Sequence, residues 1–80
     1  MFTVYVLKSE KNGKRYIGYT GKEANARLRE HNTGSNKYTR HNSPFILVYI
    51  EQYEEKIDAA RREKFLKSGQ GRKFLDEKLK

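Results

Sequence analysis

The dipeptide Asn12-Gly13 is the feature that most constrains the fold, because it separates two stretches rich in β-branched and aromatic residues. A dipeptide of this kind tolerates the positive φ angles of a hairpin turn. Residues 2–8 before it and residues 14–20 after it have the composition of strands. The sequence therefore predicts a β-hairpin at the start of the chain.

The hairpin also predicts which side chains share a face of the sheet. Facing positions sum to an odd number, so odd residues of the first strand lie on the same side as even residues of the second. Tyr5 and Tyr16 then share a face, whereas Tyr19 points to the other side and packs there. The two phenols are close neighbours only if the turn is longer than two residues. Gly18 should leave a gap through which a ligand backbone approaches the sheet.

A helix is predicted directly after the hairpin. Thr20 and Glu23 have the spacing of a capping box, so the helix should start there and run to about Asn32. Arg27 and His31 are one helical turn apart, on a stripe that borders its apolar edge. A cation and an imidazole are therefore expected beside the core.

The rest of the chain is predicted to add a loop, a strand and two helices. Residues 33–44 are dense in turn formers. The apolar run at 45–50 is too uniform for a half-exposed strand and favours a central strand covered on both faces. A helix over 54–67 places Glu63 on an otherwise apolar stripe. A short final helix is expected to pack three apolar residues, Phe74, Leu75 and Leu79.

The composition indicates one small domain over residues 1–80. The chain has no cysteine and therefore no disulfide framework, and its length allows a single core. Its early apolar run is interrupted by charges, so we expect no signal peptide, no membrane span and a cytoplasmic location.

The formal net charge of +8 is unevenly distributed. Two basic segments, 8–42 and 61–80, flank an acidic one at 43–60. Tyrosines and arginines are interleaved with the lysines, a pattern that favours a nucleic-acid partner. Charge alone leaves open the alternative of a merely solvated basic surface. An anionic membrane is a poorer partner, since the basic residues are not gathered on one amphipathic helix.

Taken singly, the candidate residues have ordinary structural explanations. A tyrosine in a sheet is usually packed, Arg27 can lie along its helix, and His31 can interact with the helix dipole. Glu63 can pair with a neighbouring Lys or Arg. Their combination on one face of a hairpin and on two helices is what points to a site.

Five motif elements occur in a specific order: "TVY" at 3–5, "YIG" at 16–18, Arg27 and His31 within "RLREHN", and Glu63 within "AARREKFLK". In these residues the chain resembles the GIY-YIG endonucleases, especially their small single-domain members. The resemblance implies an α/β fold of the α+β type, a three-stranded antiparallel sheet flanked by helices in the order β-β-α-β-α-(α). Two departures are Thr3-Val4 in place of Gly-Ile and the lack of any asparagine after Asn42.

The resemblance further implies metal-dependent hydrolysis of DNA phosphodiester bonds, structure-selective and serving DNA repair or recombination. Glu63 would hold Mg²⁺ or Mn²⁺, a hard cation that one carboxylate, waters and a phosphate can bind. Arg27 would clamp a phosphate oxygen, and His31 would donate a hydrogen bond to it or shuttle a proton. Either Tyr5 or Tyr16 would take the proton of the attacking water, and the sequence leaves this choice open.

Substrate binding is expected to involve Gly18 and the loop residues Lys37, Tyr38 and Arg40, which would contact the nucleic-acid backbone. DNA is the expected substrate and RNA stays open, while a partner protein could supply specificity. The alternative function is a nucleic-acid-binding module that has the nuclease fold and little activity without a partner.

Overall fold

The structure, a computed structural model, describes residues 1–33, 42 and 44–79. Within these residues, one antiparallel sheet is accompanied by helices on both faces. The α+β fold expected from the sequence is confirmed. The elements in chain order are β1 (Phe2–Ser9), β2 (Arg15–Thr20), α1 (Ala24–Asn32), β3 (Phe45–Tyr53), α2 (Lys56–Lys67) and α3 (Gly69–Lys78).

The strand order is β2-β1-β3, so the expectation that the apolar run at 45–50 forms the central strand is wrong. β1 lies in the centre because its hairpin partner pairs along one side and β3 along the other. β3 still contacts both core layers, Leu47 on the α1 side and Val48 on the side of α2 and α3. This explains its uniform apolar sequence. Ile46 and Ile50 are nevertheless 42% and 46% exposed, as edge-strand residues can be.

β1 is buried on both faces and divides the core into two layers. On one face its side chains join a fully buried cluster beneath α2 and α3: Val4, Val6, Ala59, Leu66 and Leu75. On the other face they join a second cluster beneath α1: Tyr5, Leu7, Ala24 and Phe45. Because successive strand residues alternate between faces, the candidate tyrosine belongs to the α1 layer.

The predicted hairpin is confirmed, with a turn that spans residues 10–14 rather than two residues. Gly13 has a φ of 76°, a left-handed conformation that a side chain would disfavour. The longer turn pairs Tyr5 with Gly18, and Tyr16 with Leu7. Tyr5 and Tyr16 therefore lie diagonally on one face. This agrees with the expectation that the two phenols are neighbours only if the turn is longer than two residues.

The predicted capping box at the start of α1 is wrong, although the predicted end near Asn32 is confirmed. Thr20 is still part of β2, and its hydroxyl accepts a hydrogen bond from the Lys22 N–H at 3.0 Å. The hydroxyl therefore closes a local turn instead of capping the helix. Glu23 is the N-cap residue, and its side chain makes no capping bond.

The second and third predicted helices are confirmed, and they meet at a tight corner. The Ser68 hydroxyl accepts a hydrogen bond from the Gly71 N–H at 3.2 Å and caps α3. A Cβ atom on Gly71 would lie 2.1 Å from the Phe65 carbonyl oxygen. The corner can therefore form only because residue 71 has no side chain. As predicted, Leu75 is buried, with Phe74 and Leu79 packed against the same core.

Candidate active site

Tyr5 lies at the centre of the candidate site and is only 1% exposed. Its ring extends over Gly18, the residue directly opposite on β2. A Cβ atom on that glycine would be 2.6 Å from the Tyr5 hydroxyl oxygen. The expectation that Gly18 leaves an open gap for a ligand is therefore wrong, because a protein side chain fills the space. The glycine instead allows Tyr5 to lie flat across the sheet.

His31 connects the two tyrosines. Its Nε2 lies 3.1 Å from the Tyr5 hydroxyl, and its ring centroid is 4.6 Å from that of Tyr16. It is 1% exposed, so it is a core residue of α1 rather than a surface partner of the helix dipole. Burial and then the charge of Arg27 lower the pKa of His31, which keeps the imidazole neutral at pH 7.

Arg27 forms an ion pair with Glu30, and its guanidinium acts on the nearby Tyr5 phenol, where it opposes the rise in pKa that burial causes. Which of Tyr5 and His31 donates in the bond between them depends on which ring nitrogen of His31 carries the proton. Among the described residues, Nδ1 has no hydrogen-bond partner. Tyr5 is therefore hydrogen-bonded to His31 and lies within electrostatic reach of Arg27.

Glu63 takes the position on α2 that the sequence predicts, on the stripe of the buried residues Ala59 and Leu66. Its side chain is 22% exposed, and its Oε1 lies 3.6 Å from Lys67 Nζ. Its charge acts on Tyr5 and contributes to the raised pKa of that phenol, for which burial is the main cause. The carboxylate is therefore electrically coupled to the tyrosine cluster.

The acidic residues restrict how a metal ion could be held. Within residues 1–33, 42 and 44–79, no group of three or more His, Cys, Asp or Glu side chains could hold one. Glu63 offers a partly exposed carboxylate, the kind of hard oxygen ligand that Mg²⁺ accepts together with several waters. The residues present therefore fit a hydrated cation on one carboxylate.

The structure brings together Tyr5, Tyr16, Arg27 and His31 from β1, β2 and α1, and the charge of Glu63, on α2, acts on Tyr5. Tyr16 is half-buried, whereas Tyr5 and His31 lie behind it in the core. The predicted binding residues Lys37, Tyr38 and Arg40 lie outside the described residues.

Glu30 is a participant that the sequence interpretation missed. It accepts hydrogen bonds from Lys22, at 2.9 Å, and from Arg27. These bonds lower the pKa of the Glu30 carboxyl. The available signal was its position three residues after Arg27, a spacing that brings helical side chains together. Glu30 thus fixes one side of the Arg27 fork.

Comparison with known proteins shows which family has this set of residues. The family model of the GIY-YIG catalytic domain matches residues 1–75, which include all five clustered residues. The chain belongs to the GIY-YIG family. This is a nuclease family, and GIY-YIG nucleases generally depend on a divalent metal.

Relatives of this GIY-YIG chain include UPF0213 proteins of Staphylococcus aureus strains Mu3, Mu50 and N315. Each is 44% identical over 66 residues, a match that covers 81% of this chain and 78% of the relative. No solved structure matches. None of the helices in the described part of the chain has the length and apolar character needed to cross a membrane.

Proposed function

We propose that this GIY-YIG protein is a metal-dependent endonuclease that hydrolyses DNA phosphodiester bonds and selects branched, nicked or single-stranded structures during repair or recombination. The observation that carries the proposal is the meeting of side chains from β1, β2 and α1 around Tyr5, on which the charge of Glu63 also acts. Phosphodiester hydrolysis needs an activated water, a clamp for the phosphate and stabilisation of negative charge. The cluster contains a group suited to each task.

Tyr16 is the better candidate for the base that takes the proton of the attacking water. It is half-buried and can meet a solvent molecule, whereas Tyr5 is almost fully enclosed. Burial raises the pKa of Tyr5 despite the opposing influence of Arg27, which makes its phenolate harder to form. We therefore assign Tyr5 to positioning Arg27 and His31.

Arg27 is suited to holding a phosphate oxygen. Its side chain is 28% exposed, and its fork is oriented by Tyr5 on one side and Glu30 on the other. A planar guanidinium fixed in this way can donate two parallel hydrogen bonds to a phosphate. His31 is enclosed behind the tyrosines, so its role is to orient them rather than to contact the substrate directly.

Glu63 would hold the divalent cation. A bound Mg²⁺ or Mn²⁺ ion lowers the pKa of a coordinated water and offsets charge on the phosphate. Lys67, which pairs with Glu63 in the structure, is then available to the substrate. Arg27 would orient the phosphate and Tyr16 would remove the proton, while Tyr5 and His31 hold these two groups in place.

The experiment compares Glu63→Gln with the wild type on labelled linear, nicked, flapped, four-way and single-stranded DNA and on RNA, with and without Mg²⁺. We expect cleavage of DNA by the wild type only with Mg²⁺ and a loss of at least about 10²-fold in Glu63→Gln, because the charge that holds the cation is removed. Glu77→Gln is the matched control, since the exposed Glu77 on α3 undergoes the same chemical change and should cleave normally.

Two outcomes would contradict the proposal. Cleavage in chelator that Glu63→Gln leaves unchanged would remove the metal from the reaction. Binding that persists in chelator while no substrate in the panel is cut would identify the protein as a nucleic-acid-binding module with the nuclease fold. Circular dichroism of each variant verifies that the fold is retained.

A further inference from the structure

An open groove lies beside the candidate active site, at the turn end of the hairpin. It has a volume of about 730 Å³. One wall comes from β1, the turn and β2, and the other comes from the corner between α2 and α3. Its polar and charged lining consists of Lys8, Lys14, Arg15, Tyr16, Lys67, Arg72 and Asp76.

The groove is strongly basic. Five of its lining residues are Lys or Arg and one is acidic, which gives the lining a net charge of +4. The acid, Asp76, is already paired, since its Oδ1 lies 2.8 Å from Arg15 Nη1. This ion pair links β2 to α3, so it joins the two walls and occupies the carboxylate. Of the other four cations, Lys67 pairs with Glu63, and Lys8, Lys14 and Arg72 are left facing an anionic ligand.

Two residues connect the groove to the catalytic cluster. Tyr16 lines the groove and also contacts the ring of His31. Lys67 lines it as well, and its Nζ lies 3.6 Å from Glu63 Oε1. A chain of phosphates lying in the groove would therefore reach both the proposed base and the carboxylate proposed to hold the metal.

We propose that this groove binds the sugar-phosphate backbone of one nucleic-acid strand and guides it to Tyr16. The inference rests on the proposed function only in treating Tyr16 as the catalytic base. Binding of the strand in the groove does not itself require cleavage. We favour a single strand because the lining combines cations that can contact phosphates with an aromatic side chain, Tyr16. A basic channel with an aromatic residue at one end is the usual arrangement for a single strand.

The test measures binding of a fluorescent single-stranded oligonucleotide in chelator, where no cleavage occurs, over a series of salt concentrations. The variant Lys14→Ala/Arg72→Ala removes one cation from each wall, and both side chains are exposed, so the fold should be kept. Each phosphate contact to a single strand contributes about 0.7 to the slope of log affinity against log salt. The variant should therefore bind at least about tenfold more weakly at low salt and lose about 1.4 from this slope.

The matched control is Arg61→Ala/Lys78→Ala, which removes one arginine and one lysine from exposed positions that do not line the groove. It should keep nearly the wild-type slope. Equal losses in the two double variants would overturn the proposal, since binding would then depend on total charge alone. A duplex of equal length that loses as much affinity as the single strand in Lys14→Ala/Arg72→Ala would also overturn it.

The experiments distinguish a wrong proposal for the groove from a wrong proposal for the nuclease activity. Normal metal-dependent cleavage with no specific effect of the groove variant would reject the groove and keep the nuclease. A selective loss of binding in Lys14→Ala/Arg72→Ala from a protein that cuts nothing would keep the groove and reject the nuclease.

Discussion

At the scale of single residues, the proton of Tyr5 is subject to opposing influences. Burial raises the pKa of its phenol, while the neighbouring Arg27 lowers it, and burial prevails. The hydroxyl thus stays protonated at neutral pH and can donate to His31 Nε2 at 3.1 Å. Tyr5 is therefore suited to holding its neighbours in place, and the more accessible Tyr16 is suited to chemistry.

Tyr16→Phe should lower the rate of single-turnover cleavage by about 10²-fold or more, because it removes the proposed base. Tyr5→Phe should instead lower the free energy of unfolding by about 1–3 kcal/mol, because it leaves a buried His31 nitrogen without its partner. Tyr19→Phe, on the opposite face, is the control and should cleave like the wild type. Wild-type cleavage by Tyr16→Phe would contradict the assignment. Quench-flow assays and urea unfolding separate the two effects.

His31 should make the stability of the protein depend on pH. Its pKa in the folded protein lies below the ordinary value of 6.5, so only the unfolded chain takes up a proton just below that pH. The free energy of unfolding should be unaffected by this group above pH 6.5. It should fall by up to about 1.4 kcal/mol per pH unit as the pH drops from 6.5 toward the lowered pKa.

Urea unfolding at pH 7.5, 6.5 and 5.5 measures this dependence. His31→Gln should lose it, because glutamine does not titrate, whereas replacing the other histidine, His41→Gln, should retain it. The same slope below pH 6.5 in His31→Gln as in the wild type would show that another group is responsible.

At the scale of elements, the corner between α2 and α3 depends on the absence of a side chain at Gly71. A Cβ there would lie within 2.4 Å of the Leu66 Cα and closer still to the Phe65 carbonyl oxygen. Neither backbone atom can move without shifting α2, which carries both the buried Leu66 and the proposed metal ligand. Packing at the corner therefore affects the candidate site from a distance.

Gly71→Ala should lower the free energy of unfolding by more than about 2 kcal/mol, because overpacking forces the two helices apart. Gly69→Ala is the control from the same helix, since a Cβ there would meet nothing within 4 Å. It should be neutral or stabilising by up to about 1 kcal/mol, as for other glycines replaced at compatible positions. Urea denaturation measures both, and equal stabilities would contradict the packing interpretation.

The sequence predicted the elements better than their arrangement. The hairpin and α2 were predictable because turn residues and apolar periodicity are local properties. The position of β3 was not, because an edge strand that contacts two core layers has the same apolar composition as a central strand. The filled space beside Gly18 was not predictable either, because it depends on the direction of the Tyr5 ring on a neighbouring strand. The ion pair between Arg27 and Glu30 was predictable from its three-residue spacing. The groove was not, because it joins residues that are distant in sequence.

At the scale of the whole molecule, a net charge of +8 on 80 residues acts against compactness. The cations repel one another, and the groove concentrates five of them in one place. Ion pairs such as Arg15–Asp76 and Lys22–Glu30 offset little of this, since exposed pairs contribute about 0–1 kcal/mol each. The protein should therefore be stabilised by anything that screens or neutralises positive charge.

Raising NaCl from about 10 mM to about 150 mM should raise the melting temperature, because the screening length falls from about 30 Å to about 8 Å. Scanning calorimetry at pH 7 measures the change. The same salt step at a pH near the isoelectric point of 9.8 is the control and should have a much smaller effect. A melting temperature that falls with salt at pH 7 would mean that attractive ion pairs outweigh the repulsion.

The central position of β1 also affects the order in which the candidate site assembles during folding. Its hairpin partner follows after a five-residue turn, and four of the five clustered residues lie within the first 31. β3 pairs with β1 over a far longer distance, Phe2 with Tyr53, and Glu63 comes later still. Contacts that close long loops form slowly. We expect a molecule that has reached only the first stage to have both tyrosines in place but to lack the carboxylate, so that the proposed cleavage site is complete only when folding is complete.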